Sequence, residues 1–403
     1  MTTLSNYTHF EGIHYETGSV HNVLAYQGLK MPHTKSAPSE ALILGLSGGI
    51  TFGYFSFAYK GFDPFVALLT RNTFRPFETI LDRLGAVRSV RQTTDPQKAE
   101  KNLLDALEDG QPALVWVDRM SMPYSTYDGF LGAEMYEVVP VVVYGYEPAK
   151  GVVMLADQSR LALRVPIKDF AKARGRIKKE KYRLMTITVP SFDKLAQNVD
   201  AGIRASVKSF FTSPVKGYAS NFGFAAYQRW ADILLNHRDK QSWNKVFPAG
   251  RKLFSGLTSA FERIELFGTG GSASRPMFAD FLDEASLILN RPVLRDVAKQ
   301  LRAAVPAWQA LCIALLPDNI AAFKETRLLL LQKRDMFYEK GGAASAEIKK
   351  IHARLDKIRS AMEKKFPLNG EKEIDFKENL RDHILQVYDL EHRAVTALDH
   401  AMR

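Results

Sequence analysis

His14 and Tyr15 stand side by side in Gly12-Ile13-His14-Tyr15-Glu16-Thr17-Gly18, an imidazole next to a phenol. A phenol titrates near pH ~10 and is a poor nucleophile at neutral pH. It can still donate a hydrogen bond or act as a general acid; the alternative is that the ring fills space and anchors its hydroxyl. Glu137, Val139 and Val141 alternate along a strand and share one face. Glu137 is therefore a candidate base or amine partner; the alternative is a solvated strand-end carboxylate. Arg119, in Asp118-Arg119-Met120-Ser121-Met122-Pro123-Tyr124, follows a strand and can hold a carboxylate or phosphate, or simply pair with Asp118 on the surface. Asp157 ends another strand and either pairs with Arg160 or caps a turn. The catalytic candidates are thus Tyr15, His14 and Glu137, and the substrate-binding candidates are Glu16, Arg119, Tyr124 and Asp157. His9, His14, His21 and His33 lack ligand spacing, and Cys312 is the one cysteine, so no metal and no cofactor is expected.

These groups need elements to hold them. Residues 17–26 can start a short helix, and 77–84 and 99–107 carry helical spacing. Strand signals follow at 113–117, 138–144, 151–156 and 182–189, with a turn expected at Gly145-Tyr146-Glu147-Pro148. Pro140 argues for an edge or a bulge in its strand. Beyond Ser191 the pattern is almost all helical. Ile348, Ile351, Leu355, Ile358 and Met362 form one apolar stripe, with Leu380, Ile384, Val387 and Tyr388 as its match. The expected tail is a helical hairpin, packed on the chain's own core or, as the alternative, used as a homodimer contact.

The opening motif resembles the butirosin biosynthesis protein H family, which reads G-x-H-C-E-T where this chain has Tyr15. The stretch Val117 to Tyr124 is similar to the family's V-D-x-x-x-L-P-Y, and Val153 to Asp157 to its V-x-x-A-D. Leu266 to Arg275, leading into Phe278 and Glu284-Ala285, resembles the helical domain that follows in that family. The resemblance implies an α+β fold: a papain-like N-terminal domain with a mainly antiparallel sheet, then an all-α region. It also implies acyl transfer through a cysteine thioester, from an acyl-carrier protein to an aminoglycoside amine, with a strand histidine shuttling the proton. Counting back from Gly145 puts that histidine at Val139. Sulfur and imidazole are both replaced, so the family relay cannot run unchanged, and Glu137 comes to the rim of the family pocket.

The expected domains are 1–190, 191–318 and 319–403. A formal charge of +11 on 403 residues points to an acidic partner, such as a carrier protein or pathway enzyme, or to a plain solvated surface; nucleic acid ranks below both. Lys168, Lys172, Arg174, Arg176, Lys178, Lys179, Lys181 and Arg183 make the one local basic run. Without a secretory pattern or a long apolar run, a cytoplasmic protein is the default. Three function classes stay open: a repurposed enzyme of a specialised biosynthetic pathway acting on an amine or acyl substrate without a covalent relay, a silent scaffold or partner-binding member, and a carrier-dependent acyltransferase.

Overall fold

The computed structural model describes residues 2–126, 137–189 and 191–403. Its strands are β1 (Thr2–Thr3), β2 (Ile50–Phe57), β3 (Phe65–Arg71), β4 (Val87–Arg91), β5 (Ala113–Asp118), β6 (Val138–Glu147), β7 (Val152–Ala156), β8 (Leu163–Pro166) and β9 (Leu184–Thr188). The chain forms two compact units. The first comprises Met1–Ile43, Leu81–Lys194 and Gln332–Ile351, and the second Leu44–Ile80, Leu195–Leu331 and His352–Arg403. The units are interleaved along the chain rather than consecutive, a pattern that local composition does not reveal.

The first unit holds an antiparallel sheet in the order β4-β9-β5-β6-β7-β8, with β1 also paired to β6. This is the α+β, papain-like order of one early helix and a later sheet. The helix Tyr15–Tyr26 packs on β6 and buries Val20, Val23 and Leu24 completely. Strand β6 runs on through the expected turn at Gly145. A register shift between Val143 and Gly145 absorbs the irregularity, and the chain turns only at Pro148.

Strand β6 is interior to the sheet, but β7 pairs with it only from Val142 onward, so Pro140 lies off the bulge on a stretch that is a local edge on one side. Arg119 N–H donates to the Glu137 carbonyl at 2.9 Å. Hydrogen-bonded pairs alternate along an antiparallel ladder, so Pro140, opposite Trp116, turns its ring nitrogen away from β5. On that far side the β7 pairing has ended at Val142–Ala156. The missing N–H therefore breaks no ladder bond, and the Pro140 carbonyl accepts from Ser19 Oγ at 3.4 Å.

In the second unit the β2–β3 hairpin packs among helices, including Leu195–Phe211, Gly223–Leu235 and Arg251–Glu265. Arg275, fully buried, ties this unit together. It donates to the Thr70 carbonyl at 2.9 Å, to the Thr51 carbonyl at 3.0 Å, and to Glu391. Glu391 also accepts from Tyr227 Oη at 2.6 Å and Trp308 Nε1 at 2.8 Å. The helix that carries it, Glu371–Ala401, packs along Val293–Leu315. Ile348, Ile351, Leu355, Ile358 and Met362, the apolar stripe, are all buried.

Gly45 and Gly49 serve close packing, against Phe281, Phe278 and Ser206 of the second unit. The Gly268–Gly271 turn binds its own chain. Its Ser272 N–H donates to Glu265 Oε1 at 3.0 Å, so a carboxylate of the protein takes the place an anion would fill. Arg275 fastens the turn through the Ala273 carbonyl at 2.6 Å. No helix among the described residues is long and apolar enough to cross a membrane.

Candidate functional site

Two groups of site residues lie in the first unit. The first is the opening motif. His14 is the N-cap of the helix Tyr15–Tyr26, and its Nδ1 accepts from Glu16 N–H at 3.2 Å. An accepting Nδ1 carries no proton, so in the neutral ring the proton sits on Nε2. The Tyr15 ring lies against the His14 ring at 4.0 Å and is half-buried. Glu16 sits in the first helical turn, where the helix dipole favours a carboxylate.

Glu40 locks this segment and was not singled out from the sequence. Its carboxylate accepts from Ile13 N–H at 2.8 Å, His14 N–H at 2.9 Å and Thr17 Oγ1 at 2.7 Å. A residue 26 positions from His14 leaves no local pattern, so no sequence signal could have found it. The motif's histidine and threonine thus have structural partners, and Tyr15 occupies the first helical position.

The second group gathers where β5, β6 and β7 end. Asp118 is fully buried and receives Met120 N–H at 3.1 Å, Glu137 N–H at 3.2 Å and the Ser121 hydroxyl. Its ionic partner is Arg176 at 3.1 Å, which corrects the expected Asp118–Arg119 surface pair. With Asp118 held inside, Arg119 is itself buried and acts on Asp157. Asp157 does not pair with Arg160 either. Its Oδ2 accepts from Tyr124 Oη at 2.8 Å, while Arg160 turns to Glu339 at 3.2 Å.

Asp157 is 3% exposed, and its Oδ1 has no hydrogen-bond partner among the described residues. Glu137 Oε2 is likewise buried without a partner, and the two carboxyls repel each other. Burial pushes the Asp157 carboxyl above the usual carboxylate range. The Arg119 guanidinium and the Tyr124 hydrogen bond pull it back, while the Glu137 carboxylate adds to the rise. Burial, reinforced by Asp157, also raises the Tyr124 hydroxyl well above its ordinary value, so Tyr124 remains a donor.

Gln158 links the two groups, since its side-chain amide donates to the Ile13 carbonyl. Val139, at the position of the family histidine, is fully buried and pairs with Val117 in the sheet. Tyr124, Asp157, Arg119 and Glu137 thus converge, while His14, Tyr15 and Glu16 form a neighbouring, self-capped cluster. No group of three or more His, Cys, Asp or Glu among the described residues is placed to hold a metal ion.

An early helix whose N-terminus meets the ends of an antiparallel sheet, with a carboxylate on one strand end, is a papain-like arrangement. Residues 14–158 match the family model for butirosin biosynthesis protein H, N-terminal, and residues 168–322 match a domain of unknown function (DUF4872). The chain belongs to the butirosin H-like family, in which the second domain follows the first. No curated protein matches it. The first match runs from His14 to Gln158 and so encloses both groups of site residues; residues 323–403 lie outside both matches.

Proposed function

We propose that this chain is a non-covalent member of the family, in a specialised biosynthetic pathway, that holds the ammonium group of an amine substrate between Glu137 and Asp157. The observation that carries this is the pair of buried carboxylate oxygens, Glu137 Oε2 and Asp157 Oδ1, each without a donor among the described residues. A buried acceptor left unpaired costs ~1–3 kcal/mol, and an ammonium ion brings three donors and the opposite charge. Two carboxylates and the Arg119 guanidinium sum to one negative charge, which suits a single cation. Asp157, with its raised carboxyl, can take the ammonium proton and leave the neutral amine to attack the carbonyl carbon of an acyl thioester; the C–N bond forms as the C–S bond breaks, and the thiolate leaves as the thiol with the proton that the amide nitrogen loses. No ester on Tyr15 is needed. The self-capped His14–Glu40 arrangement supports a structural role for the rest of the old motif.

Binding should depend on pH with a defined sign. An ammonium ion favours the ionised form of Asp157, whose carboxyl is raised in the free protein. Affinity is therefore expected to rise as pH climbs through that carboxyl's titration, and to fall again only where the amine itself loses its proton, near pH ~10. Calorimetric titration with propylammonium chloride between pH 5 and 8 measures this. Glu137→Gln and Asp157→Asn are each expected to weaken binding at least about tenfold. Binding that is absent in the wild type, or unchanged in both variants, would defeat the reading.

A further inference from the structure

We propose that Phe337, in the tail beyond both family-matched stretches, is a positioning residue of this site: stacked on Tyr124, it keeps the hydroxyl on Asp157 Oδ2 and leaves Oδ1 for the ligand. The inference rests on the amine-binding reading above and adds to it a part of the chain that the family domains do not include.

The geometry is specific. The Phe337 and Tyr124 rings stack at 5.5 Å between centroids with 14° between planes. Both are almost wholly buried, at 5% and 4% exposure. The C-terminal end of the helix Ala321–Lys340, which carries Phe337, is bonded onto the loop directly after Asp157. The Tyr338 carbonyl accepts from Arg160 N–H at 2.8 Å and from Ser159 Oγ at 3.4 Å. Arg160 closes an ion pair with Glu339 and lies 5.7 Å above the Tyr338 ring. At Gly341 an added Cβ would come within 3.0 Å of Ser159 Oγ and Leu163 Cδ2, so the segment fits closely there.

Among the described residues only one of the two Asp157 oxygens is taken, and the Tyr124 hydroxyl takes it. That hydroxyl stands at the far end of a ring whose direction is set by what packs on its faces. With Phe337 gone, the ring gains freedom and Oδ2 loses its fixed donor. The carboxylate then no longer presents Oδ1 in one orientation. A residue that merely filled the core would affect stability without acting through Tyr124.

A double-mutant cycle on the full chain separates the two roles. The dissociation constant for propylammonium is measured in wild type, Phe337→Ala, Tyr124→Phe and the double variant, with melting temperatures alongside. Phe337→Ala is expected to weaken binding about tenfold in the wild type. In the Tyr124→Phe background it should change binding less than about twofold, while the melting temperature falls alike in both. Phe337→Tyr, which keeps the ring face, should retain wild-type affinity. Where the alanine variant does not fold, Phe337→Leu makes the same comparison. Equal weakening in both backgrounds, or none in the wild type, would overturn the positioning role and leave amine binding standing. A wild type that takes up no propylammonium would instead overturn the amine-binding reading, and this role with it.

Discussion

Glu391→Ala is expected to destabilise the second unit by ~3–5 kcal/mol, the range for removing one partner of a buried ion pair. Glu391 and Arg275 are both completely buried. The carboxylate accepts from Arg275 Nη2 at 2.9 Å, Tyr227 Oη at 2.6 Å and Trp308 Nε1 at 2.8 Å. Alanine would strand all three donors, one of them charged. A domain's total stability is only ~5–15 kcal/mol, so the variant should unfold at a much lower urea midpoint or fail to accumulate. The double replacement Arg275→Met with Glu391→Leu removes the charge together with its partner. It should cost less than Glu391→Ala alone. Urea unfolding of the two variants checks both statements; a loss below about 1 kcal/mol for Glu391→Ala would show that the network is not what holds the unit.

Gly18→Ala should act in the first unit with nearly comparable force. A Cβ at Gly18 would lie 2.7 Å from the Gly12 Cα, and one at Gly12 would lie 2.9 Å from the Gly18 Cα. These are backbone atoms and cannot rotate away. Gly18 N–H is already bonded to the His14 carbonyl at 2.7 Å, and Glu40 pins the Ile13 and His14 N–H groups. Overpacking of this kind costs ~1–3 kcal/mol, occasionally more. The upper part of that range is expected, because relief means pulling the motif off Glu40. Gly342→Ala is the control: nothing lies within 4 Å of its added Cβ, and it should be near neutral. Thermal unfolding of both variants tests the contrast, and equal melting temperatures would contradict it.

The same two places show what the sequence could and could not disclose. The helix after His14 and the strands β5, β6, β7 and β9 were legible because periodicity and flanking turns are local signals. The positions of Tyr15, Val139 and Asp157 followed from motif spacing. The partners did not. Asp157 finds Tyr124, 33 residues away, and Arg160 finds Glu339, 179 residues away. Arg275 fastens its own turn, a local contact, but its main partner, Glu391, lies 116 residues further on. Pairings at such separations depend on how elements pack, and a single sequence carries no pattern for them. The same holds for the Pro140 environment, which is set by where β7 stops.

Tyr15 was the reason to ask whether a thiol relay had been replaced, and the site answers with a different pair of groups. The Tyr15 ring rests on the N-cap histidine, while Glu137 and Asp157 each keep a buried carboxylate oxygen without a donor among the described residues. The direct test is intact-mass spectrometry of the full chain after incubation with a short acyl-pantetheine thioester and propylamine, on protein whose propylammonium binding has been measured. The expected result is an unmodified chain under denaturing conditions, with binding abolished in the Glu137→Gln/Asp157→Asn variant. A stable acyl increment mapped to Tyr15, and lost in Tyr15→Phe, would contradict the non-covalent account.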